Sequence, residues 1–284
     1  MQISSEEYEE LKPLLFSIGY RMLGSIQETE DAVQETFMRA HEVDQSNINN
    51  KKAFVCKIMT NRCLDLLKSA RLKREQYVGP WNPEPIFNEK QTEGNPVNLI
   101  LRKEGLTIAY LRMMENLSPV ERAVLVLREI FDISYLEISE IVDKSLVNCR
   151  KIYSRAQEKL KKVSNESLDY NNNKQVVDQF IQALQLQNQQ QLLQLLSANI
   201  TLYSDGGGKV LAALRPIPTK QKVSAFLYGL VRKLDDNYIY KITSVNGQPA
   251  IVIYMNGRLQ SIISFFIIDD IIQEIYITLN PDKL

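Results

Sequence analysis

Five side chains between Asn148 and Arg155 are equipped to meet a polyanion. Arg150, Lys151 and Arg155 supply cations, Ser154 a hydroxyl and Asn148 an amide. On the N-terminal half of a helix such groups reach base edges and phosphates. Cys149, Tyr153, Ala156 and Leu160 recur at spacings of four, three and four, the stripe that would pack inward and leave the polar set exposed. A second basic block runs from Lys51 to Arg74, where Lys51, Lys52, Lys57, Arg62, Lys68, Arg71, Lys73 and Arg74 face the single acid Asp65. Clustered cations alone give salt-sensitive phosphate binding, but beside Asn61 and Asp65 they could hold one separated strand.

Other chemistry is thinly provided. Cys56, Cys63 and Cys149 have no CxxC spacing and His41 is the one histidine, so neither a zinc site, nor a disulfide framework, nor any cofactor is expected. Asp205-Gly206-Gly207-Gly208-Lys209 follows a strand and could cradle a phosphate, but it lacks the spacing and following helix of a P-loop and reads as a Gly-rich turn. Asp205 is a candidate acid, yet no histidine past His41 completes a pair with it, and no enzymatic activity is expected.

The elements that must position these residues begin with Ser118 to Lys162, which reads as a helix-turn-helix. Ser118-Pro119-Val120-Glu121 and Ser134-Tyr135-Leu136-Glu137 are capping boxes, and Ser145 marks a third helix start. Ile138 and Ile141 give the inner face of a short helix, and Val142-Asp143-Lys144 the turn before the basic one. From Ser4 to Arg74 the periodicity is helical, with Leu14, Leu15, Ile18 and Met22 on one segment and Val33, Phe37 and Ala40 on the next. On that second segment Asp31, Gln34, Glu35 and Arg39 lie on the polar side.

The chain has 284 residues and no net formal charge, so there is no bulk electrostatic case for nucleic acid; the charges are instead segregated into an acidic start and two basic blocks. No apolar run approaches a membrane span and no signal peptide opens the chain, so a cytoplasmic location without membrane contact is expected. Pro80, Pro83, Pro85, Gly94 and Pro96 break the helical pattern, and Ser164 to Asn173 is polar. After Lys174 two helices (Gln175 to Gln187 and Gln189 to Ser197), a strand from Ile200 to Ser204 and a helix from Lys220 to Lys233 are predicted. Four strands follow, separated by Asn246-Gly247, Asn256-Gly257 and Asp269-Asp270, strong hairpin signals. The expected fold is therefore multidomain: all-α halves followed by an α+β domain with helices on one face of an antiparallel meander. The segments read 1–76, linker 77–98, 99–163, linker 164–173 and 174–284.

Tyr20-Arg21-Met22-Leu23-Gly24-Ser25 and Asp31-Ala32-Val33-Gln34-Glu35-Thr36-Phe37 resemble the first helices of bacterial sigma factors of the extracytoplasmic-function group. Asn61, Arg62, Asp65 and Lys68 resemble that group's promoter-melting helix, and the helix-turn-helix resembles its reader of the upstream element. Gly79-Pro80-Trp81-Asn82-Pro83-Glu84-Pro85, Asp205 to Lys209 and Asn280-Pro281-Asp282-Lys283-Leu284 resemble marks of a subfamily that appends a SnoaL-like domain of the NTF2-like cone fold. The resemblance spans essentially the whole chain. It departs at Asp143, where glycine is usual, and at Gln157, Lys68 and Asn82.

The resemblance implies a factor that binds core RNA polymerase and directs it to promoter DNA. Asp31, Gln34, Glu35 and Arg39 would dock on the clamp coiled coil of the largest subunit, and the second half would meet the flap. Asn61, Arg62, Asp65, Lys68, Arg71, Lys73 and Arg74 would serve the −10 element, and Asn148, Arg150, Lys151, Ser154 and Arg155 the −35 element. Trp81, Pro83, Glu84, Pro85, Asp205, Gly206, Gly207, Gly208, Lys209, Asn280, Pro281, Asp282 and Lys283 would form a regulatory interdomain set, the appended domain acting in cis. The residues leave a second reading open, a DNA-binding regulator whose cone senses a small molecule independently of polymerase. An apolar cone is a place for a small ligand, and the sequence names none.

Overall fold

A computed structural model describes residues 4–43, 50–87, 105–160, 168–233 and 237–284. They divide into two compact units, one holding 4–75 and 111–160, the other 76–87, 105–110 and 168–284.

In the first unit α1 (Ser5–Leu23), α2 (Ile26–Glu42) and α3 (Lys51–Glu75) pack on one another. Ser4 and Glu7 close a capping box at the start of α1, and Gly24 in the left-handed region ends it. Leu15, Ile18, Met22, Val33, Phe37, Val55 and Met59 are buried between the three helices. Gly19 permits the close crossing: a Cβ there would meet Met59 Cε at 2.5 Å and Thr29 Cγ2 at 2.7 Å. The remaining helices are α4 (Ile108–Met114), of which only residues from Leu111 on belong to this unit, α5 (Pro119–Glu129), α6 (Tyr135–Val142) and α7 (Leu146–Leu160). Leu111 and Met114 of α4 are buried, as is the α5 run from Ala123 to Leu127. Within this unit α1 and α3 also pack against α5, and α3 against α6. There the guanidinium of Arg122, only 4% exposed, donates to the Met22 carbonyl at 2.7 Å and pairs with Glu115 at 2.8 Å. Burial lowers its pKa to about 10, so the charge persists at neutral pH.

The second unit contains α8 (Tyr170–Gln185), α9 (Gln189–Leu195), β1 (Leu196–Asp205), β2 (Ile217–Pro218), α10 (Lys220–Val231), β3 (Tyr238–Val245), β4 (Gln248–Met255), β5 (Arg258–Ile268), β6 (Ile271–Thr278) and a final 3-10 turn, Pro281–Lys283. The sheet order is β2-β1-β6-β5-β4-β3. Strands β3 to β6 form the expected meander, and each connecting pair, Asn246-Gly247, Asn256-Gly257 and Asp269-Asp270, has positive φ at both residues, as a type I′ turn demands. The sheet is nevertheless mixed, because β1 lies parallel to β6. Helix α8 begins at Tyr170, five residues earlier than expected: the Asp169 carboxylate caps the backbone amides of Asn171 and Asn172, overriding the weak helix propensity of the asparagine run. Strand β1 likewise begins at Leu196, ahead of the expected Ile200.

Both faces of this sheet are covered. Phe180, Leu192, Val223 and Leu227 of the helices meet Ile251, Ile263, Phe265 and Ile275 on the inner face. On the other face Phe87 and Leu284 pack on Val245, Ala250, Val252 and Ile262, while Ile108 and Ala109 pack on Phe266 and Tyr276. Residues 77–87, part of the linker read from sequence over 77–98, thus belong to the second unit, with Phe87 bridging Val245 at the strand edge.

Candidate nucleic-acid interface

Helix α7 is aimed by the two helices before it. Both capping boxes form: Glu121 N donates to Ser118 Oγ and Glu137 N to Ser134 Oγ, each carboxylate accepting in return from the cap's backbone amide. Asp143 ends α6 at φ 51°, ψ 56°, the left-handed conformation that glycine adopts without Cβ strain. Ser145 then caps α7, its hydroxyl accepting from Asn148 N at 3.3 Å. Ile138, Ile141, Cys149, Ala156 and Leu160 are buried, and Tyr153 is half-buried with its ring edge-on to Tyr135. Lys159 ties α7 to α5 through Glu121 at 2.8 Å. Although burial raises the Glu121 carboxyl, the bonds from Lys159 and Ser118 outweigh it and hold it below its ordinary value.

The polar set is left outward. Asn148, Arg150, Lys151, Ser154 and Arg155 are all exposed, and among the described residues no carboxylate pairs with the three cations. Arg150 lies 5.6 Å from the Tyr135 ring centre, with Arg128 at 5.2 Å from the same ring, a contact that orients a guanidinium without neutralising it.

The cations of α3 are deployed otherwise. Arg62 Nε stands 2.6 Å from Glu35, whose other oxygen takes Arg39 at 2.6 Å; Lys51 pairs with Glu7 at 2.7 Å and Lys68 with Asp65 at 2.9 Å. Asn61 is half-buried, and Asp65 and Lys68 are exposed. Arg71, Lys73 and Arg74 belong to the α3 backbone, and their side chains lie outside the described residues. On α2, Asp31, Gln34 and Arg39 are exposed and Glu35 is partly covered by its two arginines. Sequence reasoning therefore assigned Glu35 and Arg62 to separate surfaces that one ion pair joins. It also passed over Met38, 60% exposed on the same stripe, which the spacing 31, 34, 35, 38, 39 could have revealed. Burial pushes the Cys56 thiol up to about 12 and raises Cys63 as well, so both stay protonated.

The interdomain set converges in the second unit. Asp205 is fully buried and its carboxylate accepts four hydrogen bonds: Tyr77 OH at 2.5 Å and Gly207 N at 3.1 Å on Oδ1, Asn82 N and Lys283 Nζ each at 2.8 Å on Oδ2. Lys283 Nζ also donates to the Asn82 carbonyl at 2.6 Å and lies 4.2 Å from the Trp81 ring centre. Burial first, then the bond to Asp205, raises Tyr77, keeping its hydroxyl protonated as donor. Gly206 to Lys209 form a turn in which a Cβ on Gly207 would strike the Asn280 side chain at 2.4 Å. Lys209 pairs with exposed Asp282, Pro83 and Pro85 are buried, Trp81 and Glu84 half-buried, and Pro281 opens the last turn. An acid so saturated with donors is a fastener.

Residues 7–73 match the Sigma-70 region 2 family and residues 107–160 the Sigma-70, region 4 family. ECF RNA polymerase sigma factor SigJ of Mycobacterium tuberculosis is 29% identical over 237 residues, covering 82% of this chain and 74% of that one. Probable ECF RNA polymerase sigma factor SigI of the same species is 26% identical over 276 residues, 95% of this chain and 91% of that one. The crystal structure of Mycobacterium tuberculosis SigJ superposes with a TM-score of 0.80 at 25% identity, covering 99% of this chain and 98% of that one. The chain is an extracytoplasmic-function sigma factor. Its SnoaL-like C-terminal domain matches the SigJ structure, it binds core RNA polymerase and promoter DNA as sigma factors do, and a regulator independent of polymerase is not favoured. Among its described residues no helix is long and apolar enough to cross a membrane.

Two residues of this sigma factor were not among the site residues expected from the sequence. Tyr77 opens the segment read as linker, with no pattern pointing to Asp205. Asn246 was read only as a hairpin residue, yet it is 2% exposed and its amide holds the chain on both sides: Oδ1 accepts from Ile86 N at 2.9 Å and Nδ2 donates to the Leu106 carbonyl at 2.9 Å. No local spacing reports a contact between residues this far apart in sequence.

Proposed function

We propose that the SnoaL-like domain governs this sigma factor in cis by holding the connection between its two DNA-reading halves. The observation that carries this reading is that Asp205, Lys283 and Asn246 bind the chain at Tyr77, Asn82 and Ile86 as it leaves region 2, and at Leu106 as it returns towards region 4. A segment fastened at both ends limits how far apart the two halves can stand, and a covalently attached domain does this at high effective concentration. In the same reading the stripe Asp31, Gln34, Glu35 and Arg39 docks on the clamp coiled coil of the largest polymerase subunit, and the helix-turn-helix domain meets the flap. The α3 set Asn61, Arg62, Asp65, Lys68, Arg71, Lys73 and Arg74 opens the −10 region, and Asn148, Arg150, Lys151, Ser154 and Arg155 read the −35 element. The protein works in the cytoplasm, without catalysis of its own and without a cofactor.

Promoter-specific transcription with purified core enzyme tests the proposal. Lys283→Met, which removes the ammonium from Asp205 and Asn82, is expected to change the yield on promoters with altered −10 to −35 spacing. Unchanged spacing preference in this variant and in a chain ending after residue 169 would sink it.

A further inference from the structure

Among the described exposed residues of α7, Val147 alone is apolar. It is 61% exposed and stands two residues past the Ser145 cap. At about 100° per residue it lies nearly opposite the buried line of Cys149, Ala156 and Leu160. It heads the row that Lys151 and Ser154 continue one and two turns on, with Arg150 on one flank and Arg155 on the other. A turn later the same row ends in Glu158, an exposed carboxylate that phosphates repel. The row therefore meets DNA with its first turns, and Val147 is at their head.

Folding gains nothing from a valine in this place. A side chain opposite the packed stripe buries no core surface, and a β-branched residue is a weaker helix former than the lysine or glutamine found elsewhere on this helix. The gain lies in association. Along its floor the major groove offers hydrogen-bonding edges and one apolar group that protrudes, the C5 methyl of thymine. Arginine, lysine and serine make polar contacts to phosphates and base edges but gain nothing from a methyl group, whereas an aliphatic side chain is suited to it. Asn148, exposed beside Val147, carries the donor and acceptor pair that an adenine edge takes, so the first turn matches a T·A-containing step.

We propose that Val147 is a specificity-determining residue of the −35 contact, its methyl groups packing on the C5 methyl of a thymine. This rests on α7 being the helix that reads the −35 element, and it adds the base group that the helix recognises there.

Holoenzyme assembled from core polymerase and the full-length chain tests it, on a duplex carrying a promoter mapped with that holoenzyme. Each −35 thymine is replaced in turn by deoxyuridine, which pairs identically and lacks only the methyl group. Replacement at one position, or at two adjacent ones, is expected to weaken binding about threefold to tenfold, the scale of one buried methyl. Val147→Ala should lose a similar factor on the thymine duplex, show no further loss on the deoxyuridine duplex, and keep its unfolding midpoint. Arg155→Ala should weaken both duplexes and retain the deoxyuridine penalty. The proposal is overturned if the −35 element holds no thymine, if no deoxyuridine weakens binding, or if the penalty persists in full in Val147→Ala. In that event Lys151→Ala and Arg155→Ala separate the two readings: lost affinity in them leaves α7 as the −35 helix and removes only Val147, whereas unchanged affinity removes both.

Discussion

Helix α7 and the Asp205 fastener use the same residue types to opposite ends. On α7 the cations of Arg150, Lys151 and Arg155 stand exposed with no carboxylate partner among the described residues, which leaves them available to a polyanion. At Asp205 a fully buried carboxylate meets the largely covered Lys283 ammonium and both its oxygens are bonded within the chain. An exposed charge contributes little to folding and much to association, whereas a buried one becomes a large liability once its partner is lost. Helix α3 stands between these cases: Arg62 and Lys51 already have internal partners in Glu35 and Glu7, so a nucleic acid must exchange with a carboxylate there.

The largest effect that would break this contrast belongs to the fastener. Asp205→Asn leaves the shape and strands the Lys283 charge, and should destabilise the second unit by about 3–5 kcal/mol in denaturant unfolding; a loss near zero would show that the pair is not the closed site its geometry describes. Next comes Arg155→Ala, expected to weaken promoter binding by about 1–3 kcal/mol and, if the contact is to phosphate, to reduce the salt slope by about one. Its unfolding midpoint should hold, and a fall there would mean the arginine is internal after all. Ser134→Ala sharpens the link between the aim of α7 and its caps: about 1 kcal/mol of stability should go in the first unit, read by thermal unfolding. The smallest change is a gain. Asp143→Gly relieves a side chain held at φ 51° and should add roughly 0.5–1 kcal/mol, with promoter affinity unchanged or slightly improved.

Much of the molecule was legible because its signals are local. Capping boxes at Ser118 and Ser134, the stripe through Cys149 and Ala156, and three hairpin pairs each occupy a few consecutive residues, and their geometry follows from backbone hydrogen bonding and side-chain period. The start of α8 was missed because one capping carboxylate, Asp169, outweighed the average tendency of Asn171 to Asn173. The parallel pairing of β1 with β6 was missed because strands separated by most of a domain carry no mark of each other. The residues of the Asp205 site were mostly named in advance through resemblance, but Tyr77 was not, and nothing in their order said that the aspartate would be saturated.

The sequence by itself determined the classes of element, the polar face of helix α7 and the two basic blocks, because period, capping and charge are written residue by residue. Tertiary structure decided which charges are free. Glu35 joins α2 to Arg62, Asp205 gathers Tyr77, Asn82 and Lys283, and Asn246 holds Ile86 and Leu106, all across gaps in sequence that only packing closes. Whether an ionised group meets water, a neighbour or a partner depends on what folding places within about 3 Å of it, and that proximity is a property of the assembled chain.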